Sequence, residues 1–90
     1  NMIKKSITII NKLGLHARAA AKFVTTSSGF NSDIEVSRNA RIVNGKSIMG
    51  LMMLAAAKDT DITVHINGDD EQQALLAIEE LINDFFGEDE

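Results

Sequence analysis

The segment NKLGLHARAAAKF, residues 11–23, places His16 and Arg18 two positions apart at the start of a predicted helix. Near neutral pH, much of a histidine population carries the uncharged imidazole, whose lone pair can attack phosphorus. The guanidinium of Arg18 has a permanent charge and a fork of donors suited to phosphate oxygens. A helix start adds unpaired backbone N–H groups and the positive end of the helix dipole. The pattern predicts that His16 holds a phosphoryl group and passes it on, since nothing in the segment would activate water.

Two other interpretations of His16 compete with phosphate chemistry. A histidine near a helix start is often only a cap or a surface residue. A metal site is the weaker alternative, because His65 is the only other histidine and the chain has no cysteine. We expect His65 to be a structural residue on the open face of a strand. No metal ion and no cofactor are therefore expected.

The composition of the chain limits its size and its partners. Its 90 residues fit one domain. The net charge of −4 and the pI of about 5.0 argue against nucleic acid as a partner. No apolar run is long enough for membrane insertion, and the absence of cysteine is compatible with the cytoplasm, where we place the protein. We assign one domain to residues 2–87, an acidic, solvated tail to residues 88–90, and Asn1 to a remnant of expression cloning.

The spacing of apolar residues predicts the element order β-α-β-β-α-β-α. Strands are predicted over residues 2–10, 33–37, 40–44 and 61–67, and helices from Ala17, over residues 48–58 and after Asp70. Each strand and each helix has one apolar face, which predicts an α+β fold of two layers with helices on one side of an antiparallel sheet. Ferredoxin-like domains share most of this order, so the order alone does not name the fold.

Several residues at element ends carry specific expectations. Gly29 is expected to end the first helix in the left-handed conformation, and Asn39 to adopt a positive φ in a tight hairpin. Ser47 is placed to cap the second helix. Asp70 and Gln73 are expected to form a capping box at the third.

The second helix carries more apolar residues than one core can cover. We expect Leu51, Leu54 and Ala55 to be buried. Methionine adapts to varied surfaces and recurs at promiscuous interfaces. We therefore expect a docking patch for partner proteins near His16, partly exposed and formed by Ile48, Met49 and Met52.

Two motifs resemble those of one family. The stretch GLHARAAAKFV resembles the active-site segment of HPr, the family of histidine-containing phosphocarriers of the bacterial phosphoenolpyruvate-dependent sugar phosphotransferase system. The stretch NGKSIMGLMMLAAAK resembles the second signature of that family, around its regulatory serine. The two motifs occur in the right order and at the right distance, and the resemblance runs from about residue 2 to residue 86.

The resemblance implies a fold and a function. The fold would be an open-faced sandwich of four antiparallel strands in the order 1-4-2-3, with three helices on one face. His16 would be phosphorylated on Nδ1 by phospho-Enzyme I and would pass the group to EIIA domains, with Arg18 as the phosphate partner. The protein would be a stoichiometric carrier rather than an enzyme. Ser47 would match the serine modified by HPr kinase/phosphorylase. The family usually has proline where this chain has Ala19, which keeps its N–H and favours the helix, so we expect little damage to the site.

Other functional readings stay open beside the carrier. One is a regulatory binding module controlled at Ser47, acting on a transcription regulator in carbon catabolite regulation. Another is an HPr paralogue of the nitrogen branch. A third is a ferredoxin-like domain for a small ligand, although no cluster of residues marks its cleft. We expect a monomer, because no strand or helix is left with a long unpaired apolar face.

Overall fold

The computed structural model describes residues 2–90, so the expectation for Asn1 lies outside the described residues. Four strands, three helices and a short 3₁₀ turn follow one another along the chain. They are β1 (Met2–Thr8), α1 (Ala17–Ser27), β2 (Asp33–Arg38), β3 (Arg41–Asn44), α2 (Ile48–Met53), β4 (Asp61–Asn67), α3 (Glu71–Asn83) and the 3₁₀ turn Phe85–Gly87. The predicted order of elements is confirmed.

The strands form one antiparallel sheet in the order β1-β4-β2-β3. Side chains alternate between its two faces because successive residues of a strand point to opposite sides. In the registers Ile7–Ile62, Ile34–Ile66 and Val36–Val64, all six partners lie on the helix-covered face and are buried. The expected two-layer sandwich, including its strand order, is therefore confirmed.

Each helix contributes fully buried side chains to the core between the two layers. The fully buried apolar ones are Ala19, Ala20 and Phe23 from α1, Leu51 from α2, and Ala74, Ile78 and Ile82 from α3. Burial of one large aliphatic or aromatic side chain contributes about 1.5–3 kcal/mol to stability. Because Phe23 and two closely packed alanines fix α1 to this core, the side chains at its start have a rigid support.

The second helix is shorter than predicted. It ends at Met53 because Ala55 takes a left-handed backbone conformation, with a φ of 51°. Leu51 and Leu54 are buried as expected, but Ala55 is exposed and Ala56 takes its place in the core. The prediction that Ala55 belongs to the core is therefore wrong.

Two predicted helix ends also differ in detail. Gly29 does not have a positive φ, and its N–H donates to Thr26 O (3.2 Å), three residues earlier. The chain after α1 therefore continues in a 3₁₀-type turn rather than in a left-handed cap. Asp70 precedes α3 but makes no side-chain capping bond. Its carboxylate instead accepts from the N–H groups of Asn31 (2.8 Å) and Ser32 (3.0 Å), so the capping box with Gln73 does not form.

The remaining local predictions agree with the structure more closely. Asn39 has a φ of 56° in the β2–β3 hairpin, and Ser47 Oγ accepts from Gly50 N–H (3.0 Å) at the start of α2. The first strand ends at Thr8, two residues short of residue 10, although Ile9 still exchanges backbone hydrogen bonds with Thr60 (2.9 Å) and Asp59 (2.7 Å). Among residues 2–90, no helix is both long enough and apolar enough to cross a membrane.

Candidate functional site

A closed turn over residues 11–15 places His16 at the start of α1. Asn11 is fully buried, and its side-chain amide donates to Gly14 O (2.8 Å) while its backbone carbonyl accepts from Gly14 N–H (3.1 Å). Leu15 N–H donates to Ala56 O (2.9 Å), which fastens the turn to the segment after α2. The contacts of these neighbouring residues therefore fix the backbone position of His16.

Gly14 is the residue on which this turn depends. Its φ of +67° is unfavourable for residues with a Cβ. A Cβ at this position would also lie 2.5 Å from Ala56 O and 2.9 Å from Ala57 Cα. The close approach brings the turn against residues 55–57, which border a shallow depression together with His16.

His16 is the N-cap residue of α1, with extended backbone angles (φ −77°, ψ −179°). Its carbonyl accepts the first intrahelical hydrogen bond, from Ala20 N–H (2.8 Å). The three preceding amides, those of residues 17–19, have no acceptor inside the helix. The side chain of His16 is 27% exposed, so the ring reaches solvent beside these unpaired donors.

Arg18 lies on the same cleft as the His16 ring. This His16 cleft is lined by Lys12, Leu13, His16, Ala17, Arg18, Lys22 and residues 87–90. Arg18 is exposed, and its guanidinium forms no ion pair with any of residues 2–90. The two residues predicted to do phosphate chemistry are thus brought to one cleft, and the cation is not committed elsewhere.

Glu88 is a site residue that the sequence analysis missed. Its Oε2 lies 2.5 Å from Nε2 of His16, and its Oε1 accepts from the side-chain amide of Asn11 (3.0 Å). The side chain is only 12% exposed, so the expectation that the acidic residues 88–90 are solvated is wrong for Glu88. No local pattern could reveal the contact, because the two partners are separated by 72 positions.

The chain between α3 and Glu88 is held in an unusual conformation. Phe85 and Phe86 both have positive φ values, 56° and 53°, which are rare for bulky residues. Phe86 is fully buried, and its carbonyl accepts from Lys22 Nζ (2.7 Å). Farther along, Lys12 N–H donates to Glu90 O (2.9 Å). These anchors turn the chain back towards α1 and hold Glu88 against the His16 ring.

The surroundings of Glu88 favour its ionised form. Burial alone raises the pKa of this carboxyl, but hydrogen bonds from Asn11 and His16 lower it. The charge of Lys22 acts in the same direction, as does that of His16 when its ring is protonated, so the pKa of Glu88 lies below its ordinary value of 4.5. Glu88 is therefore a carboxylate at neutral pH.

The predicted regulatory and docking residues form a second feature on α2. The hydroxyl of Ser47 is half-buried and caps the helix. Ile48, Met49 and Met52, the α2 patch, are 41%, 74% and 43% exposed. Met53 and Leu13 are also exposed, at 59% and 65%, although they were not predicted as part of the patch. Because Leu13 borders the His16 cleft, apolar surface is available beside the site.

His65 lies apart from this site. It is on the open face of β4, half-buried, with Nε2 2.9 Å from Ser37 Oγ. Within residues 2–90, histidine, aspartate and glutamate side chains form no group of three or more that could hold a metal ion.

The chain is similar to proteins of one family along its length. Residues 3–84 match the family model described as the PTS HPr component phosphorylation site. The phosphocarrier protein HPr of Neisseria meningitidis serogroup A is 60% identical over 89 residues, which cover 99% of this chain and 100% of the relative. A crystal structure of HPr-C-His from Thermoanaerobacter tengcongensis superposes with a TM-score of 0.93 at 44% identity, covering 98% of this chain and 99% of that one.

A further solved structure from the same organism is an HPr dimer. It has a TM-score of 0.77 and 48% identity, and covers 91% of this chain and 94% of that chain. The monomer expected for this chain therefore stays a prediction. Taken with the strand order, these likenesses favour the HPr-like sandwich over a ferredoxin-like domain.

Proposed function

The chain belongs to the HPr family of phosphocarrier proteins, and on that premise we propose that His16 accepts a phosphoryl group from phospho-Enzyme I and delivers it to EIIA domains of the sugar phosphotransferase system. The observation that carries the proposal is the partly exposed His16 ring beside unpaired helix amides and an Arg18 without an ion-pair partner among residues 2–90. Nδ1 of His16 has no hydrogen-bond partner among residues 2–90, so its lone pair is available for attack.

The chemistry needs positioning and charge neutralisation more than covalent machinery. The lone pair of Nδ1 forms the N–P bond while the bond between phosphorus and the donor atom breaks, its electron pair passing to the donor. Arg18 and the amides of residues 17–19 receive the phosphoryl oxygens. Ala19 supports this role because it keeps an N–H that proline would lack.

The same site favours transfer over hydrolysis. Hydrolysis would need a base that deprotonates water beside the phosphoryl group. The carboxylate nearest the ring, Glu88, already accepts a hydrogen bond from Asn11 and faces the Nε2 edge of His16. We therefore propose that the protein is a stoichiometric carrier. We also place it in the cytoplasm and expect it to need no cofactor.

The proposal is tested by loading. Incubation with phosphoenolpyruvate and Enzyme I should add one acid-labile phosphoryl group per chain. The variant His16→Ala should take up none, whereas His65→Ala should load like the wild type and serves as the matched control. Labelling that persists in His16→Ala would reject His16 as the acceptor.

A second function, regulation at Ser47, is supported by the position of its hydroxyl at the edge of the α2 patch. Phosphorylation by an HPr kinase/phosphorylase would place negative charge beside this apolar surface and alter the choice of partner. If this is correct, Ser47→Asp changes affinity for a transcription regulator and His16→Ala does not. Equal affinity of Ser47→Asp and the wild type would contradict it.

We also propose that the α2 patch docks Enzyme I and EIIA, each bound by the monomer. A small, Met-rich surface suits partners that must bind weakly and leave quickly. Met49→Glu should raise the apparent KM for Enzyme I. Leu76→Glu, which changes a 65% exposed residue on α3, is the control and should leave it unchanged.

A further inference from the structure

The contact between Glu88 and His16 points to a role in the carrier's chemistry. We propose that Glu88 is a positioning residue that holds the His16 proton on Nε2, leaves the Nδ1 lone pair free, and balances the charge that the ring gains when Nδ1 takes the phosphoryl group. The inference deepens the proposed function and rests on it.

The geometry fixes which nitrogen carries the proton. A carboxylate can only accept hydrogen bonds, so a carboxylate oxygen 2.5 Å from Nε2 requires a hydrogen on that nitrogen. An uncharged imidazole has one N–H, so Nδ1 is then bare. Nδ1 has no partner among residues 2–90, which leaves it open to the cleft.

Glu88 is held in place by the fold rather than by the ring alone. Its second oxygen accepts from Asn11, a residue that is itself fully buried. The buried Phe86, two positions earlier, and its bond from Lys22 fix the backbone. A solvated surface acid would have no such supports. Here a buried side chain and an anchored backbone hold the carboxylate in place.

Phosphoryl transfer then proceeds without any movement of a proton to or from His16. On loading, Nδ1 donates its electron pair to phosphorus, the bond to the donor breaks, and the ring becomes a cation that still holds its Nε2 proton. Glu88 pairs with that cation. On delivery, the Nδ1–P bond breaks, its electrons return to Nδ1, and the ring is again neutral with the proton on Nε2. A leaving group that departs as a neutral imidazole suits rapid delivery.

The other charged groups around the ring do not duplicate this role. Lys12, Lys22 and Arg18 supply positive charge to the cleft, and Asp89 and Glu90 are its further acids. Glu90 pairs with Lys12 (3.5 Å), and Asp89 is exposed. Neither has a contact with His16. Asp84→Asn, at an exposed residue four positions before Glu88 and outside the cleft, is a control that removes the same charge from the same end of the fold.

The kinetic test compares the loading rates of Glu88→Gln and Asp84→Asn by phospho-Enzyme I. We expect Glu88→Gln to load roughly tenfold more slowly, because a charge-assisted hydrogen bond is about twice as strong as a neutral one. Asp84→Asn should load at the wild-type rate. If Glu88→Gln loads as fast as the wild type, or faster because the carboxylate merely blocks the cleft, the inference is overturned while the carrier function stands. If the wild type itself does not load, both are overturned.

A spectroscopic test is independent of turnover. Proton–nitrogen NMR of the His16 ring should show a far-downfield Nε2 proton, protected from exchange with water, in the wild type and in Asp84→Asn. The signal should move upfield in Glu88→Gln and disappear in Glu88→Ala, with thermal unfolding midpoints showing that both variants are folded. A wild-type ring protonated on Nδ1 would overturn the inference.

Discussion

Glu88 and His16 meet in the folded chain, with Oε2 of the carboxylate 2.5 Å from Nε2 of the ring. The contact divides the surroundings of the imidazole into two edges. The Nε2 edge faces a carboxylate held by Asn11, while the Nδ1 edge is unpaired among residues 2–90 and shares its cleft with Arg18. An acceptor of phosphate needs this kind of asymmetry, because only one nitrogen should be available for attack.

Replacing Arg18 tests its part in holding the phosphoryl group. Arg18→Ala should slow loading from phospho-Enzyme I by roughly 10- to 150-fold, since a hydrogen bond to a charged group contributes about 1.5–3 kcal/mol. The thermal unfolding midpoint should not change, because the side chain is exposed and unpaired within residues 2–90. Arg41→Ala, which alters an exposed arginine on β3, is the control. Rapid-quench kinetics that match the wild type would remove Arg18 from the mechanism.

Two glycine substitutions test the turn that positions His16. Gly14→Ala should lower the free energy of unfolding by about 1–3 kcal/mol. Alanine disfavours the positive φ, and its Cβ would meet the backbone of residues 56 and 57. Gly29→Ala should be neutral or slightly stabilising, because its Cβ would meet only Thr26 O at 3.4 Å and its φ is not positive. Urea denaturation measures both. A costly Gly29→Ala would mean that α1 ends in the left-handed cap expected from sequence.

Asp70 gives the fold a dependence on pH. Hydrogen bonds from the Ser32 side chain and the Asn31 N–H hold the pKa of Asp70 below its ordinary value of 3.8, and outweigh a small opposing effect of burial. A lowered pKa in the folded state means that the carboxylate stabilises the fold above the unfolded pKa, and that this contribution is lost as the pH falls through the folded value.

Variants of Asp70 and Gln73 should show whether Asp70 acts through these hydrogen bonds or as a helix cap. Asp70→Asn should lower the unfolding midpoint at pH 7, and the difference from the wild type should shrink as the pH falls below about 4. Gln73→Ala should have little effect at either pH, because the capping box does not form. Scanning calorimetry that finds a constant Asp70→Asn deficit down to pH 2 would contradict the assignment.

The element order and the two layers were accessible from sequence because their signals are local and repeated, whereas the strand order was expected only from the resemblance. β4 alternates so regularly that its sequence alone places Ile62, Val64 and Ile66 on one face, and all three are buried. Ser47 and Asn39 were assigned from side-chain chemistry that acts within a few residues. Such features are determined by neighbours along the chain.

The errors arose where distant segments compete for the same groups. Asp70 has the composition of a cap, but the N–H groups of the α1–β2 loop offer it better partners. Ala55 favours a helix, yet the docking of the following residues against Gly14 turns it outward. Glu88 lies in an acidic run that reads as solvated, and only the return of the chain at Phe85 and Phe86 brings it to His16. The resemblance to HPr identified His16 and Arg18 as site residues but did not identify Glu88.

Delivery of the bound group is the most direct test of a carrier. Protein loaded with labelled phosphate on His16 is separated from Enzyme I and mixed with a sugar-specific EIIA domain, and the label is followed over time. We predict that it moves to EIIA far faster than it is released as inorganic phosphate, in step with the return of an unmodified His16. Transfer only to a nitrogen-branch acceptor would assign the chain to that paralogue. Label that remains on the protein, or appears only as inorganic phosphate, would contradict the account.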